Sequence, residues 1–183
     1  SLDISGGTEK AAYVVGVNYF YQEGIMKAKS DYERINVRTK ADYQPWRWLK
    51  LGANVIMSHS VRNSANNGAW ERAYYAPPIL PVYDESYEAT YPKKFTSFDR
   101  LDLTNGVYSN PVAMAYYGDN LSKNVQIMPS YYLDLDFLSN RKLVFRTSFN
   151  QVISLSQTRN YTPEFFVSQA HNSTKSQLYK GSD

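Results

Sequence analysis

No cysteine occurs in the 183 residues, and histidine occurs only twice. Disulfide stapling is therefore excluded. Zero cysteine fits a bacterial envelope protein, although many cytosolic chains share it. His59 and His171 lie far apart, one in a strand-like stretch and one in a tail, with no metal-ligand spacing. No metal and no cofactor is expected. No run of about 18 apolar residues exists, which excludes a transmembrane helix. It does not exclude a membrane protein, because barrel strands are apolar only at alternate positions and their mean hydropathy stays low. A strong charge bias is missing too. The net charge of +3 is small and spread out, which argues against a nucleic-acid partner. No nucleophile motif of the Gly-x-Ser-x-Gly kind is present, and nothing else reads as catalytic.

What the chain does have is alternation. Tyr32 to Ser60 holds two such runs around a turn. In the first, Ile35, Val37, Thr39, Ala41 and Tyr43 fall on one side, and Arg34, Asn36, Arg38, Lys40 and Asp42 on the other. In the second, Leu49, Leu51, Ala53, Val55 and Met57 oppose Lys50, Gly52, Asn54, Ser58 and Ser60, with Ile56 the exception. Successive strand side chains point to opposite faces, so each run is a strand with one apolar and one polar face. Matching faces requires opposing residue numbers to sum to an even number. A sum of 92 sets Tyr43 opposite Leu49 and Val37 opposite Val55. Both runs exceed the usual strand length of about five or six residues. Trp46 and Trp48 mark the short-turn end, and Tyr19, Tyr21 and Tyr32 the other, as in strands that cross a bilayer.

The pattern yields an all-β fold of about six antiparallel strands near 1–7, 11–22, 32–44, 48–60, 123–138 and 143–156. Pro129 interrupts the fifth and implies a bulge or an edge. Short turns fall on one side of the sheet, including Ser139-Asn140-Arg141-Lys142, and longer connections on the other. The stretch 61–122 shows no sustained period. It is rich in aromatic residues, among them Trp70, Tyr74, Tyr75, Tyr83 and Tyr108, and contains the stiff Pro77-Pro78 and Pro81 segment. Asn110-Pro111 through Gly118 reads as a short helix, with Asn as cap, Pro in the first turn and Gly at the end. Gln157 to Asp183 reads as polar and irregular. Ser1-Leu2-Asp3-Ile4 starts inside what reads as a strand and Lys180-Gly181-Ser182-Asp183 stops without a closing element, which suggests a piece of a longer polypeptide.

Several local motifs follow one another along the chain. They are Ser5-Gly6-Gly7-Thr8-Glu9-Lys10 before a Tyr-rich strand, Tyr21-Gln22-Glu23-Gly24-Ile25, Tyr32-Glu33-Arg34 and Trp48-Leu49-Lys50-Leu51-Gly52. Pro77-Pro78-Ile79, Pro81-Val82-Tyr83-Asp84, Asn110-Pro111 and Phe145-Arg146-Thr147-Ser148-Phe149 follow. Together they resemble the SusC/RagA family of TonB-linked outer-membrane transporters, from one end of the chain to the other. The resemblance implies a plugged barrel of about 22 strands from Bacteroidetes-type bacteria. Such a barrel imports glycans or peptides beneath a SusD-type surface lipoprotein. It implies that residues 1–183 are a segment of that barrel. The plug, the remaining strands and the N-terminal region that meets TonB would lie outside it.

Arg34, Arg38, Lys40, Asp134, Asp136 and Arg146 share the polar parity and are expected to face the lumen. A register sum of 280 between the last two strands sets Asp134 opposite Arg146 and Leu135 opposite Phe145. Asp134 and Asp136, two apart, could instead be paired acid/base carboxylates; ion pairing with basic neighbours is the alternative. Trp70, Tyr74, Tyr75 and Tyr83 are the candidate contacts for a sugar or peptide ligand or for the lipoprotein. They could equally be packing within a folded loop. A soluble β-sandwich carbohydrate-binding module and a general diffusion porin stay open as alternative functions.

Overall fold

A computed structural model describes residues 1–26, 28–66, 68–101, 109–137 and 143–183. The expected turn over 139–142 and Tyr108 lie outside the described residues. The chain is all-β apart from short helical pieces. β1 (Leu2–Gly7), β2 (Ala11–Glu23), β3 (Asp31–Trp46), β4 (Leu49–Ser64) and β5 (Asp119–Asp136) pair antiparallel in chain order. β6 (Val144–Asn150) and β7 (Ile153–Thr162) both pair with β5, and β10 (Gln177–Ser182) pairs with β7. β8 (Phe165–Ser168) and β9 (His171–Ser173) form a separate two-stranded hairpin.

The main sheet thus has eight strands, not six. One cause is Pro129. β6 and β7 hold the same register against β5, Asp134 with Arg146 and Ile127 with Ile153, so they are one strand with a gap at 151–152. The gap faces Met128 and Pro129. Proline has no N–H to give the ladder, and only Gln151 N bonds back, to Pro129 O at 3.0 Å. The other cause is the tail, which is not irregular. Leu178, Lys180 and Ser182 alternate with Gln177, Tyr179 and Gly181 and complete β10.

The β3–β4 register also differs from the expected sum of 92. Tyr43 faces Leu51 and Val37 faces Met57, two residues further on. Trp46 then pairs with Leu49, so β3 carries one extra residue between Tyr43 and Trp46. That bulge contains Pro45, and Gln44 N donates to Lys10 O, just before β2, at 2.7 Å. The turn itself shrinks to Arg47-Trp48.

Face parity survives both corrections. One row across the sheet reads Leu2, Val17, Val37, Met57, Ile127, Ile153. The adjacent row, on the opposite face, reads Asn18, Asn36, Ser58, Gln126, Ser154. The apolar face is uncovered: Leu2 is 65%, Val17 40%, Met57 44% and Leu155 56% exposed. Among the described residues, the buried apolar side chains all lie in 65–117 and 165–167, outside the main sheet.

Those two segments are the connections at one end of the sheet, and they fold into a cap. The first, expected over 61–122, is shortened to 65–118 by the longer β4 and β5. It contains α1 (Gly68–Tyr75), a 3-10 turn over Phe98–Leu101 and α2 (Pro111–Tyr117). α1 went unread because its eight residues make only about two turns, too few to establish a helical period. α2 lies where expected. Asn110 Oδ1 accepts from Val112 N and Ala113 N, both at 3.1 Å. Gly118 does not end α2 by a left-handed turn, since its φ is −85°. Its missing side chain matters for space: a Cβ there would lie 2.8 Å from Asn66 N.

Candidate functional site

The polar face of the sheet carries an ion-paired cluster near its short-turn end. Arg146 Nε and Nη2 donate to Asp134 Oδ1 and Oδ2 at 2.6 and 2.7 Å, a bidentate pair across β5 and β6. Leu135 faces Phe145 on the other side, as the sum of 280 requires. Asp42 accepts a hydrogen bond from the Tyr132 hydroxyl and lies 3.7 Å from both Lys40 Nζ and Lys50 Nζ. The Tyr132 ring lies over Gly52, and Lys50 and Arg146 approach the ring at 5.8 and 5.1 Å. Arg38 reaches Asp3 of β1 at 3.7 Å. Asp136 is the partner of Val144 at the end of the ladder, and Arg34 pairs with Phe20 and Ser60. All six residues expected on the polar face share its parity. Asp134 is held by Arg146 in an ion pair of the kind expected with a basic neighbour. Tyr32 also has this parity and tilts against Phe20 at 6.1 Å, so it does not join Tyr19 and Tyr21 on the apolar face.

The cap is organised by aromatic stacking. Phe95 is fully buried, stacks on Tyr83 at 5.1 Å and meets Tyr117 edge-on at 5.7 Å. Tyr117 stacks on Phe165 at 4.1 Å, and the Phe165 ring meets His171 at 4.8 Å. Asn110 ties three segments together, since its Nδ2 donates to Val82 O and Thr96 O while its Oδ1 caps α2. Tyr91 and Phe166 exchange backbone hydrogen bonds at 3.0 and 2.9 Å, joining the two connections. Burial raises the Tyr117 hydroxyl above its ordinary pKa, and the phenol stays neutral. Burial, and then the charge of Arg72, push His171 down to about 4. The neutral ring shares a hydrogen bond with Ser109 Oγ at 3.2 Å.

Between the cap and the sheet lies a cavity of about 680 Å³. Trp70, Tyr83, Tyr116, Tyr117 and Tyr161 line it, with Lys29 and Asp119 at its edge. Asp119 holds Lys29 Nζ at 2.8 Å and Arg159 Nη2 at 3.2 Å. Of the four aromatic candidates, Trp70 and Tyr83 meet in this cavity. Tyr74, 86% exposed, and Tyr75 meet edge-on at 5.3 Å and do not line it. Phe165, Val167 and His171 were missed, because their segment reads as part of a polar tail. The alternation Phe165, Val167 is the only signal for it, and two residues are too few to stand out. Among the described residues, no three His, Cys, Asp or Glu side chains gather as a metal site.

The class is therefore an all-β wall with one apolar and one ion-paired face, closed at one end by a folded aromatic cap. No family model matches the chain. It is similar to TonB-dependent receptor P26 of Formosa agariphila, 26% identical over 161 residues, which covers 88% of this chain and 15% of that protein. It is also similar to TonB-dependent receptor P3 of the same organism, 24% identical over 179 residues, covering 92% of this chain and 17% of that protein. The chain spans less than a fifth of the length of either relative. These similarities support the TonB-dependent receptor family for this chain and, with it, an outer-membrane location.

Proposed function

We propose that this chain forms part of the transmembrane barrel wall of a TonB-dependent importer of the SusC/RagA kind. One observation carries the reading. The sheet has an uncovered apolar face and an ion-paired polar face, and the long connections gather at one end while the short turns occupy the other. In a bilayer the apolar face meets lipid, the polar face meets the lumen, and the long connections stand outside the cell. A β-sandwich would need a second sheet over the apolar face. The only other sheet described is the short β8–β9 hairpin of the cap. A porin reading lacks a specific observation in its favour, and the two relatives are both receptors. TonB would act through a region beyond this chain, in keeping with a segment of a longer receptor.

The cargo is a glycan or a peptide, and the cap is where cargo and a SusD-type lipoprotein meet the barrel. Loops held by a rigid scaffold are where binding residues concentrate, and aromatic rings suit sugar faces and apolar side chains alike. Trp70 and Tyr83 are assigned to the cavity. Tyr74 and Tyr75, which are exposed on α1, are assigned to the lipoprotein. In the full-length receptor, Trp70→Ala with Tyr83→Ala is expected to reduce uptake about tenfold or more while the lipoprotein still co-purifies. Tyr74→Ala with Tyr75→Ala is expected to weaken co-purification. Unchanged uptake and unchanged co-purification in all four replacements, with normal insertion, would overturn the assignment.

A further inference from the structure

The apolar face of the sheet does not stay apolar to its end. Tyr19, Ile35, His59, Val125 and Leu155 form its last largely apolar row. The next row on the same face contains Glu33 and Lys123, and the one after it Glu23, Asp31, Asn63, Leu121, Arg159 and Lys180. Charge on the lipid-facing parity marks where the hydrocarbon ends.

The charges on that border are not evenly mixed. Acidic residues lie on β2 and β3, while Lys123, Arg159 and Lys180 gather on β5, β7 and β10. Arg159 and Lys180 stand directly opposite each other in the ladder. Like charges in that position destabilise a sheet. Arg159 shares Asp119 with Lys29, so a single carboxylate serves two cations. Arg159 Nε is buried without a hydrogen-bond partner. No ion pair is recorded for Lys123 or Lys180 among the described residues. The three side chains border a groove of about 460 Å³, floored by Leu121 and Gln157 and open to the surroundings.

A cationic groove immediately above a lipid-facing band suits an anion that carries an acyl chain. We propose that Lys123, Arg159 and Lys180 bind the phosphate of a phosphorylated glycolipid in the outer leaflet, with its acyl chains lying along Leu155 and Ile153. The inference rests on the membrane reading above, because it needs this face turned to lipid. The Arg159 guanidinium and the two lysines supply the positive charge that a phosphate needs. The bound phosphate also relieves the repulsion between Arg159 and Lys180.

The test uses the full-length receptor in nanodiscs with lipid A as probe, in its phosphorylated and its dephosphorylated form. The unmodified receptor is expected to retain the phosphorylated form about tenfold or more better, with the preference fading as salt is raised. Lys123→Gln with Lys180→Gln leaves the Arg159–Asp119 pair intact and is expected to abolish the preference. Equal retention of both forms by the unmodified receptor overturns the proposal without any variant. A preference that survives the double replacement overturns it too. Displacement of the lipid by millimolar inorganic phosphate would identify a soluble-anion site and would also overturn it. Heat-modifiable, protease-resistant insertion, scored on the same samples, reports the membrane reading separately. Loss of insertion in the unmodified receptor would sink that reading, whereas loss of lipid preference alone sinks only this one.

Discussion

Gly52 and Tyr132 show how a single missing side chain shapes the polar face. A Cβ built on Gly52 would come within 2.0 Å of Tyr132 Cε1. The ring can lie flat on the sheet only because residue 52 has no side chain, and from there its hydroxyl reaches Asp42. Gly52→Ala is expected to expel the ring and to cost about 1–3 kcal/mol, read as a lower urea midpoint of the full-length receptor in bilayers. In the Tyr132→Ala background the same replacement should cost little, and a neutral Gly52→Ala in the native background would show the contact to be dispensable. His171 gives a second residue-scale expectation. Its folded pKa, about 4, lies below its ordinary 6.5, so the folded ring binds fewer protons than the unfolded one. Cap stability is therefore full above about pH 6.5 and declines as pH falls toward 4, by up to about 3 kcal/mol. Amide exchange protection over 165–173, corrected for intrinsic rate, should fall across that window. His171→Gln should flatten the dependence; an unchanged slope would mean the ring is not responsible.

At the scale of elements, β5 is the strand on which the sheet turns, since β4 covers one edge and β6 and β7 share the other. Pro129 sits at the division. Pro129→Val restores an N–H and should let Gln151 and Val152 join the ladder, fusing β6 and β7. The expected readout is slower amide exchange at 150–153; exchange as fast as before would mean that the gap has another cause. The strands were legible because their faces alternate over ten or more residues, and the Asp134–Arg146 pairing followed from parity plus a short turn. The β3–β4 register was not, because the bulge at Gln44-Pro45 adds a residue without disturbing the apolar pattern on either side. β10 was hidden because Lys180 and Ser182 occupy positions that alternation expects to be apolar. The cap core escaped for a different reason. Phe95, Ala113, Tyr117, Phe165 and Val167 come from three separate stretches, and contacts between distant segments leave no local period. Trp70 and Tyr83 were readable as aromatic residues in a long connection, but nothing local distinguished them from Tyr74 and Tyr75.

For the molecule as a whole, the decisive quantity is the depth of the apolar band. On β5 the apolar-face positions from Val125 to Leu135 are all apolar, ten residue steps that span about 33 Å along the strand. At a tilt of about 40° that is a band about 25 Å tall, the height of the outward apolar zone of outer-membrane barrels. The row through Val37 reaches β5 at Ile127, one row in from the Val125 edge of the band, and Asn36 is its neighbour on the opposite face. Arginine at the two positions should therefore act very differently, although they adjoin in sequence. Val37→Arg places a charge inside the hydrocarbon and should cost about 1–3 kcal/mol, between the midplane and interfacial values, while Ile35→Arg, on the row that borders the charged zone, should cost less. Asn36→Arg should be close to neutral, since it joins Arg34 and Arg38 on a face already built for cations. The measurement is the denaturant midpoint for folding the full-length receptor into lipid vesicles. A graded loss in the order Val37, Ile35, Asn36 is the signature of one face in lipid. Equal costs at positions 36 and 37 would mean that both faces meet the same environment, and the sheet would not be a membrane wall.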